Sequence, residues 1–216
     1  IYALKKIFKM TVDIKFWDKF YKKSLTNKPS NFAKLLLKKN KIKKPLLIDF
    51  GCGNARDTFY FLSKNFSCFG IDTSGKIISK NNSLVKGIFF KIDSCKKNFS
   101  FKTNKKIDYI YARFFIHAIT LKDENIFFSN VKKLCDKKTK IFLEFRTPLD
   151  PLYKKGKVLS KYERYTDHYR RFIDIDLFLD RCKKYGLKKE YIKTSFNFAK
   201  FKNQKPHICR LILSKI

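Results

Sequence analysis

The chain has 216 residues, enough to bury a sizeable core as one domain and small for two. Hydrophobic residues make up 44% and aromatic ones 17% of it, which excludes a disordered polymer in spite of the charge. That charge is +33, from 51 Lys and Arg against 18 Asp and Glu. Clustered, it would point to nucleic acid or an anionic membrane, but the lysines are spread along the whole chain. The excess of Lys, Ile, Phe, Asn and Tyr over Gly, Ala and Pro is what AT-rich codons produce without selection for a ligand.

The six cysteines (Cys52, Cys68, Cys95, Cys135, Cys182 and Cys209) include no C-x-x-C pair and no Cys/His cluster at zinc spacing. A reduced, cytoplasmic protein without a metal is the expectation. The nearest thing to a membrane span, Ile107 to Ile119, is interrupted by Asp108 and Arg113 and falls short of the roughly 18 residues a span requires. The opening "IYALKKIFK" lacks the cleavage pattern of a signal peptide. With Met10 the only methionine, translation is expected to start there, making residues 1–9 an upstream extension.

In chain order, "FWDKFYKK" places Phe16 or Trp17 and Phe20 or Tyr21 on one helical face, and "KPSNFAKLLLKKN" reads as a helix begun by Ser30. Strand patterns follow at Leu46 to Phe50, Cys68 to Ile71, Ile88 to Ile92, Ile107 to Tyr111 and Ile141 to Phe145. Each is a short apolar run of the sort buried on both faces. Between them "ARDTFYFLSK", "SGKIISKNN" and "KDENIFFSNVKKLCDKK" fit helices. Such alternation predicts a parallel sheet covered on both sides, because parallel neighbours need crossover connections. From Arg146 to Phe172 the pattern lapses into a polar, tyrosine-rich stretch. Asp174 then caps a helix ending before Gly186, and strand-like segments at Tyr191 to Phe198 and His207 to Leu213 form a closing hairpin. The expected architecture is α/β: a Rossmann-like, seven-stranded, mostly parallel sheet with helices on both faces and a C-terminal antiparallel hairpin. One domain is expected, with a helical cover over 1–45, a core over 46–145, a substrate-side insertion over 146–172 and a helix plus hairpin over 173–216.

The first strand runs into "LLIDFGCGNARD", an acid followed by Gly-x-Gly. Ligands of open α/β sheets sit beyond the carboxyl ends of the strands, where glycines let the backbone approach them. A dinucleotide fingerprint G-x-G-x-x-G would need a third glycine at Arg56. The second strand ends at Asp72 in "CFGIDTS", about twenty residues on, where a carboxylate accepts both ribose hydroxyls. The third ends at Asp93 in "FFKIDS". One such Asp reads as a turn or helix cap; three on successive strands do not.

In these segments, and in "IDYIYARFFIHAI" through the fourth strand, the chain resembles the class I S-adenosylmethionine (SAM) dependent methyltransferases from Phe16 to about Phe145. The resemblance implies SAM as cofactor. Asp49, Gly51, Cys52, Gly53 and Asn54 would lie along its methionine part. Asp72 and Thr73 would take the ribose, and Ile92, Asp93 and Ser94 the adenine, with Ala112 and Arg113 beside the amino-acid moiety. Ala55 stands where many relatives carry a glycine.

A hydroxyl acceptor needs a base, and His117, just past the fourth strand, is the candidate; a histidine satisfied within the fold is the plainer reading. In a chain that overwhelmingly prefers lysine, arginines gather after the fourth and fifth strands. Arg113, Arg146, Arg170 and Arg171, with Tyr165, His168 and Tyr169 of "ERYTDHYRRF", make a candidate substrate-facing set, since guanidinium binds carboxylate or phosphate bidentately. Over this stretch the chain resembles small bacterial methyltransferases associated with surface polysaccharides, which implies a small or glycan acceptor with an anionic group. The rival readings are an RNA or tRNA methyltransferase using the basic surface, and a domain that binds cofactor or a protein partner without turnover. A continuous basic groove would favour RNA, and a closed pocket with converging arginines a small acceptor.

Overall fold

The structure is a computed structural model that describes residues 14–21, 26–200 and 204–216; Met10 and residues 1–9 lie outside these. Helices α1 (Ile14–Phe20) and α2 (Asn31–Lys39) precede an alternating series: β1 (Leu46–Phe50), α3 (Arg56–Leu62), β2 (Ser67–Asp72), α4 (Gly75–Leu84), β3 (Phe89–Lys91), β4 (Tyr109–Arg113), α5 (Leu121–Leu134) and β5 (Lys140–Arg146). Three short strands follow, β6 (Lys157–Ser160), β7 (Glu163–Tyr165) and β8 (Tyr169–Arg171), then α6 (Ile175–Lys184), β9 (Leu187–Ser195) and β10 (Ile208–Lys215). The main sheet has the order β3-β2-β1-β4-β5-β10-β9. Its first five strands pair in parallel, and β10 runs antiparallel between β5 and β9.

The two-residue period of the strands divides the core into layers. On β1, Leu46, Ile48 and Phe50 face Phe127, Phe128 and Val131 of α5 and Phe178 of α6. Leu47 faces the other way, toward Phe32, Ala33 and Leu36 of α2 and Phe61 of α3. Burying side chains of this size contributes about 1.5–3 kcal/mol each, so the sheet is held from both sides. Helix starts are fixed where the sequence places them: Ser30 Oγ accepts from Ala33 N–H at 3.0 Å, Ser74 Oγ from Ile77 N–H at 3.3 Å and Asp174 Oδ1 from Leu177 N–H at 3.2 Å. Gly186, at φ +74°, closes α6.

Three expectations are revised. The first strand of the closing hairpin, β9, starts at Leu187, four residues before the expected Tyr191. The fourth strand lies two residues later than predicted, which carries Arg113 to its tip. The stretch after Arg146 is a second antiparallel sheet, ordered β6-β7-β8, rather than irregular chain. Its strands are three or four residues long, and β6 is largely exposed, so no apolar alternation betrays them. Buried Arg164 organises it, donating to the carbonyls of Tyr153 (2.9 Å), Ser160 (2.7 Å) and Glu163 (2.9 Å).

The described part of β9 is an open edge of the main sheet, with Lys188, Lys189 and Lys193 exposed along it. All six cysteines are free and buried. No described helix is long and apolar enough to cross a membrane.

Candidate active site

A cavity of about 560 Å³ opens at the carboxyl ends of β1 to β5, under α1 and beside the small sheet. Its volume falls within the roughly 300–1,000 Å³ of small-molecule sites. After β1 the chain takes three left-handed residues in five: Gly51 (φ +71°), Gly53 (φ +52°) and Ala55 (φ +57°). The fold-back is pinned by Gly51 N–H and Cys52 N–H, which donate to the Ile71 carbonyl at 2.8 and 3.1 Å. A Cβ on Gly51 would come 2.9 Å from the Phe115 ring, and one on Gly53 would overlap the Tyr21 hydroxyl. Ala55 is fully buried in a conformation that L side chains rarely adopt.

The carboxylates at the ends of β1 and β2 and just past β3 meet at this cavity. Asp49 accepts from Thr58 Oγ1 at 2.7 Å. Burial, with smaller contributions from Asp57 and Asp72, raises its pKa to about 7 against the opposing Thr58 bond. Asp72 accepts from Gly53 N–H at 3.0 Å and from Ser74 N–H at 2.9 Å, so it ties the glycine turn to the start of α4. Burial raises its pKa too, opposed by those backbone donors. Asp93 accepts from Cys95 N–H at 3.0 Å. Asn54, Thr73, Ile92 and Ser94 line the same end of the cavity.

The other half, under β4, β5 and the small sheet, is cationic. Arg113, Arg146 and Arg170 line it together with His117 and His168. Arg113 Nε lies 2.9 Å from Glu144 Oε1, an ion pair by distance whose N–H is poorly aligned, and Arg210 Nε lies 2.7 Å from Glu144 Oε2. One buried carboxylate thus faces two guanidinium groups. Arg146 pairs with Asp150 and Arg170 with Asp167, each at 2.6 Å. Phe114, another left-handed residue at φ +57°, offers its ring to the guanidinium groups of Arg113 (4.3 Å) and Arg146 (5.6 Å). His117 Nδ1 accepts from Arg146 N–H at 3.3 Å. Burial first, then Arg146, Arg170, His168 and Arg113, hold its pKa well below the usual histidine value. The ring is therefore neutral, and its proton sits on Nε2.

No family model and no curated protein sequence matches the chain. Solved structures do. A SAM-dependent methyltransferase from Methanosarcina mazei matches with a TM-score of 0.71 at 12% identity, over 84% of this chain and 97% of its own. The PH0226 protein from Pyrococcus horikoshii OT3 matches at 0.69 and 16% identity over 92% and 99%. The glycopeptide N-methyltransferase MtfA, complexed with SAM, matches at 0.64 and 11% identity over 88% of each chain. The fold is that of the SAM-dependent methyltransferases.

Against this methyltransferase fold most of the expected residues lie together, and four do not. Ala112 is fully buried, because on β4 it alternates with Tyr111 and Arg113 and turns toward the α5 layer. On β8, Tyr169 hydrogen-bonds Glu163 at 2.6 Å, and Arg171 points into the protein toward Glu124. Tyr165, paired with Tyr169 in the small sheet, does not line the cavity either. Conversely, Phe16, Trp17 and Phe20 of α1 and the adjoining Tyr21 do line it, although they read as core. α1 has three large aromatic residues, with Tyr21 directly after it, and none of the helix's residues is buried, so they serve a cavity rather than a core. Arg56, with burial lowering its pKa, also lines the cavity. Asp18 of α1 binds Ser74 Oγ and lies 3.8 Å from Lys76 Nζ, fastening the helix over the β2 side. Trp17 and Phe16 pack on the His168 ring, with centroids 4.9 and 4.1 Å away.

Proposed function

We propose that this chain is a SAM-dependent methyltransferase that methylates an oxygen of a small or glycan acceptor carrying an anionic group. One observation carries the reading: a single cavity has strand-end carboxylates in one half and arginine side chains in the other. The residues fit the cofactor, because the glycine turn at Gly51 and Gly53 brings bare backbone to the cavity wall and the carboxylates of Asp49, Asp72 and Asp93 line the same cavity. SAM, when bound, supplies a methyl group on a sulfonium that needs no further activation. Asp72 would hold the ribose and Ile92 and Asp93 the adenine, while Asp49 would lie along the cationic methionine portion.

The protein's remaining task is alignment and exclusion of water, which bring effective molarity worth several kcal/mol. The α1 aromatics would close the cavity, and Arg146 and Arg170 would receive the acceptor's anionic group. Guanidinium groups converging in a lined cavity favour a small acceptor over a polynucleotide, which would require an extended basic groove. His117 would contact the acceptor through Nε2. In the tautomer held by Arg146 N–H it donates there, and service as a base requires the other tautomer.

Calorimetry with SAM and its demethylated product tests the cofactor, and absence of heat with both refutes the reading. Labelled SAM offered to nucleotide sugars, acidic glycans and tRNA tests the acceptor, and label in tRNA alone refutes a small one. Arg170→Lys is expected to lower turnover while leaving cofactor affinity within about twofold, since lysine cannot reproduce a bidentate contact.

A further inference from the structure

Two neighbouring residues of β8 face opposite ways. Arg170 faces the cavity, whereas Arg171 is 5% exposed and turns inward. There its Nε donates to the Ile119 carbonyl at 3.2 Å, and its Nη2 to the Ile116 carbonyl at 3.3 Å and to Glu124 Oε2 at 2.5 Å. Ile116 and Ile119 bracket the short 3-10 turn that carries His117. One guanidinium therefore holds both sides of the histidine's turn and anchors them to α5. Glu124, with no exposed surface, also accepts from Arg181 Nε of α6 at 2.6 Å, so its charge is matched from two elements.

We propose that Arg171 is a positioning residue for the reaction: it sets the His117 ring against the Arg146 N–H and beside Arg170 without itself meeting the acceptor. The proposal rests on the methyltransferase reading of the cavity. A lysine there would have to reach both carbonyls and the carboxylate from one nitrogen, whereas Arg171 spreads its donors over Nε and Nη2 in a fixed plane. Fixing one backbone segment of β8 to the histidine turn also sets the spacing between His117 and Arg170, the two groups expected to meet opposite sides of one acceptor.

The test compares Arg171→Lys with Arg181→Lys in the full chain. Both variants weaken the hold on Glu124, but only the first disturbs the turn. Nitrogen-15 NMR of the histidine rings in the cofactor-free protein reads the tautomer of His117. The expected result is a single Nε2–H form in the unsubstituted protein and in Arg181→Lys, and a mixture of tautomers in Arg171→Lys. Cofactor affinity by calorimetry should stay within about twofold in all three, as neither arginine lines the cofactor half. An unchanged His117 spectrum in folded Arg171→Lys overturns the proposal, and so does an equal change in both variants, which would mark general loosening. Should Arg171→Lys fail to fold, Arg171→Gln is judged by the same spectra. Absence of SAM binding by the unsubstituted protein would instead refute the methyltransferase reading, which the spectra do not measure.

Discussion

Asp49 couples cofactor binding to a proton. Its carboxyl, buried and with a pKa of about 7, is largely neutral in slightly acidic solution. A cationic ligand beside it favours the ionised form, so binding must expel that proton. The carboxylate fraction falls about tenfold for each pH unit below the pKa, and apparent affinity falls with it. SAM should therefore bind about tenfold more weakly near pH 6 than near pH 8, with Asp49→Asn abolishing the difference. Calorimetry in buffers of different ionisation enthalpy would read the released proton directly. Free of cofactor, the protein shows the opposite face of this linkage. Because the folded-state pKa lies above the ordinary value, the folded chain retains a proton that the unfolded chain has lost. Stability therefore declines as pH rises from about 4 to about 7. The gap between 3.8 and about 7 corresponds to roughly 4 kcal/mol, and Asp49→Asn should flatten that decline. Affinity that does not vary between about pH 6 and pH 8, or that varies equally in Asp49→Asn, would refute this account.

Ala55→Gly should stabilise the protein. Holding a side chain in the left-handed region costs roughly 1–2 kcal/mol, and glycine gives back about 0.5–1 kcal/mol of the relief through its extra unfolded-state freedom. The net gain of about 0.5–1 kcal/mol appears as a higher melting temperature, and a lower one would contradict the strain. Glu144→Gln should cost roughly 3–5 kcal/mol in urea denaturation, because Arg113 and Arg210 would lose their shared buried counter-charge. A loss under about 1 kcal/mol would show that solvent already screens the trio.

The parallel sheet was legible because its central strands are buried on both faces and therefore mostly apolar: β1 coincides with Leu46 to Phe50, and Ser30, Asp174 and Gly186 stand at the helix ends they signal. The convergence of Asp49, Asp72 and Asp93 was legible for a related reason, since parallel strands all deliver their last residues to one edge of the sheet. Facing was not legible where strands are short. "YRRF" contains two arginines of identical chemistry, and only the register of β8 with β7 decides that Arg170 meets the cavity and Arg171 the interior. The α1 aromatics escaped because helical spacing alone does not distinguish a face that packs on a sheet from one that roofs a cavity.

The lysines along β9 have a consequence for how copies of the chain meet. A nine-residue strand presents unpaired backbone groups on its outer side, a ready template for a second molecule. Any copy docking there would bring Lys188, Lys189 and Lys193 against equally basic chain, so the coat that gives a charge of +33 guards the sheet from growing sideways. That guard is electrostatic and shortens with the Debye length, from about 10 Å at 0.1 M salt to about 3 Å at 1 M. Concentrated salt is therefore a condition under which edge-to-edge association of this protein through β9 should increase.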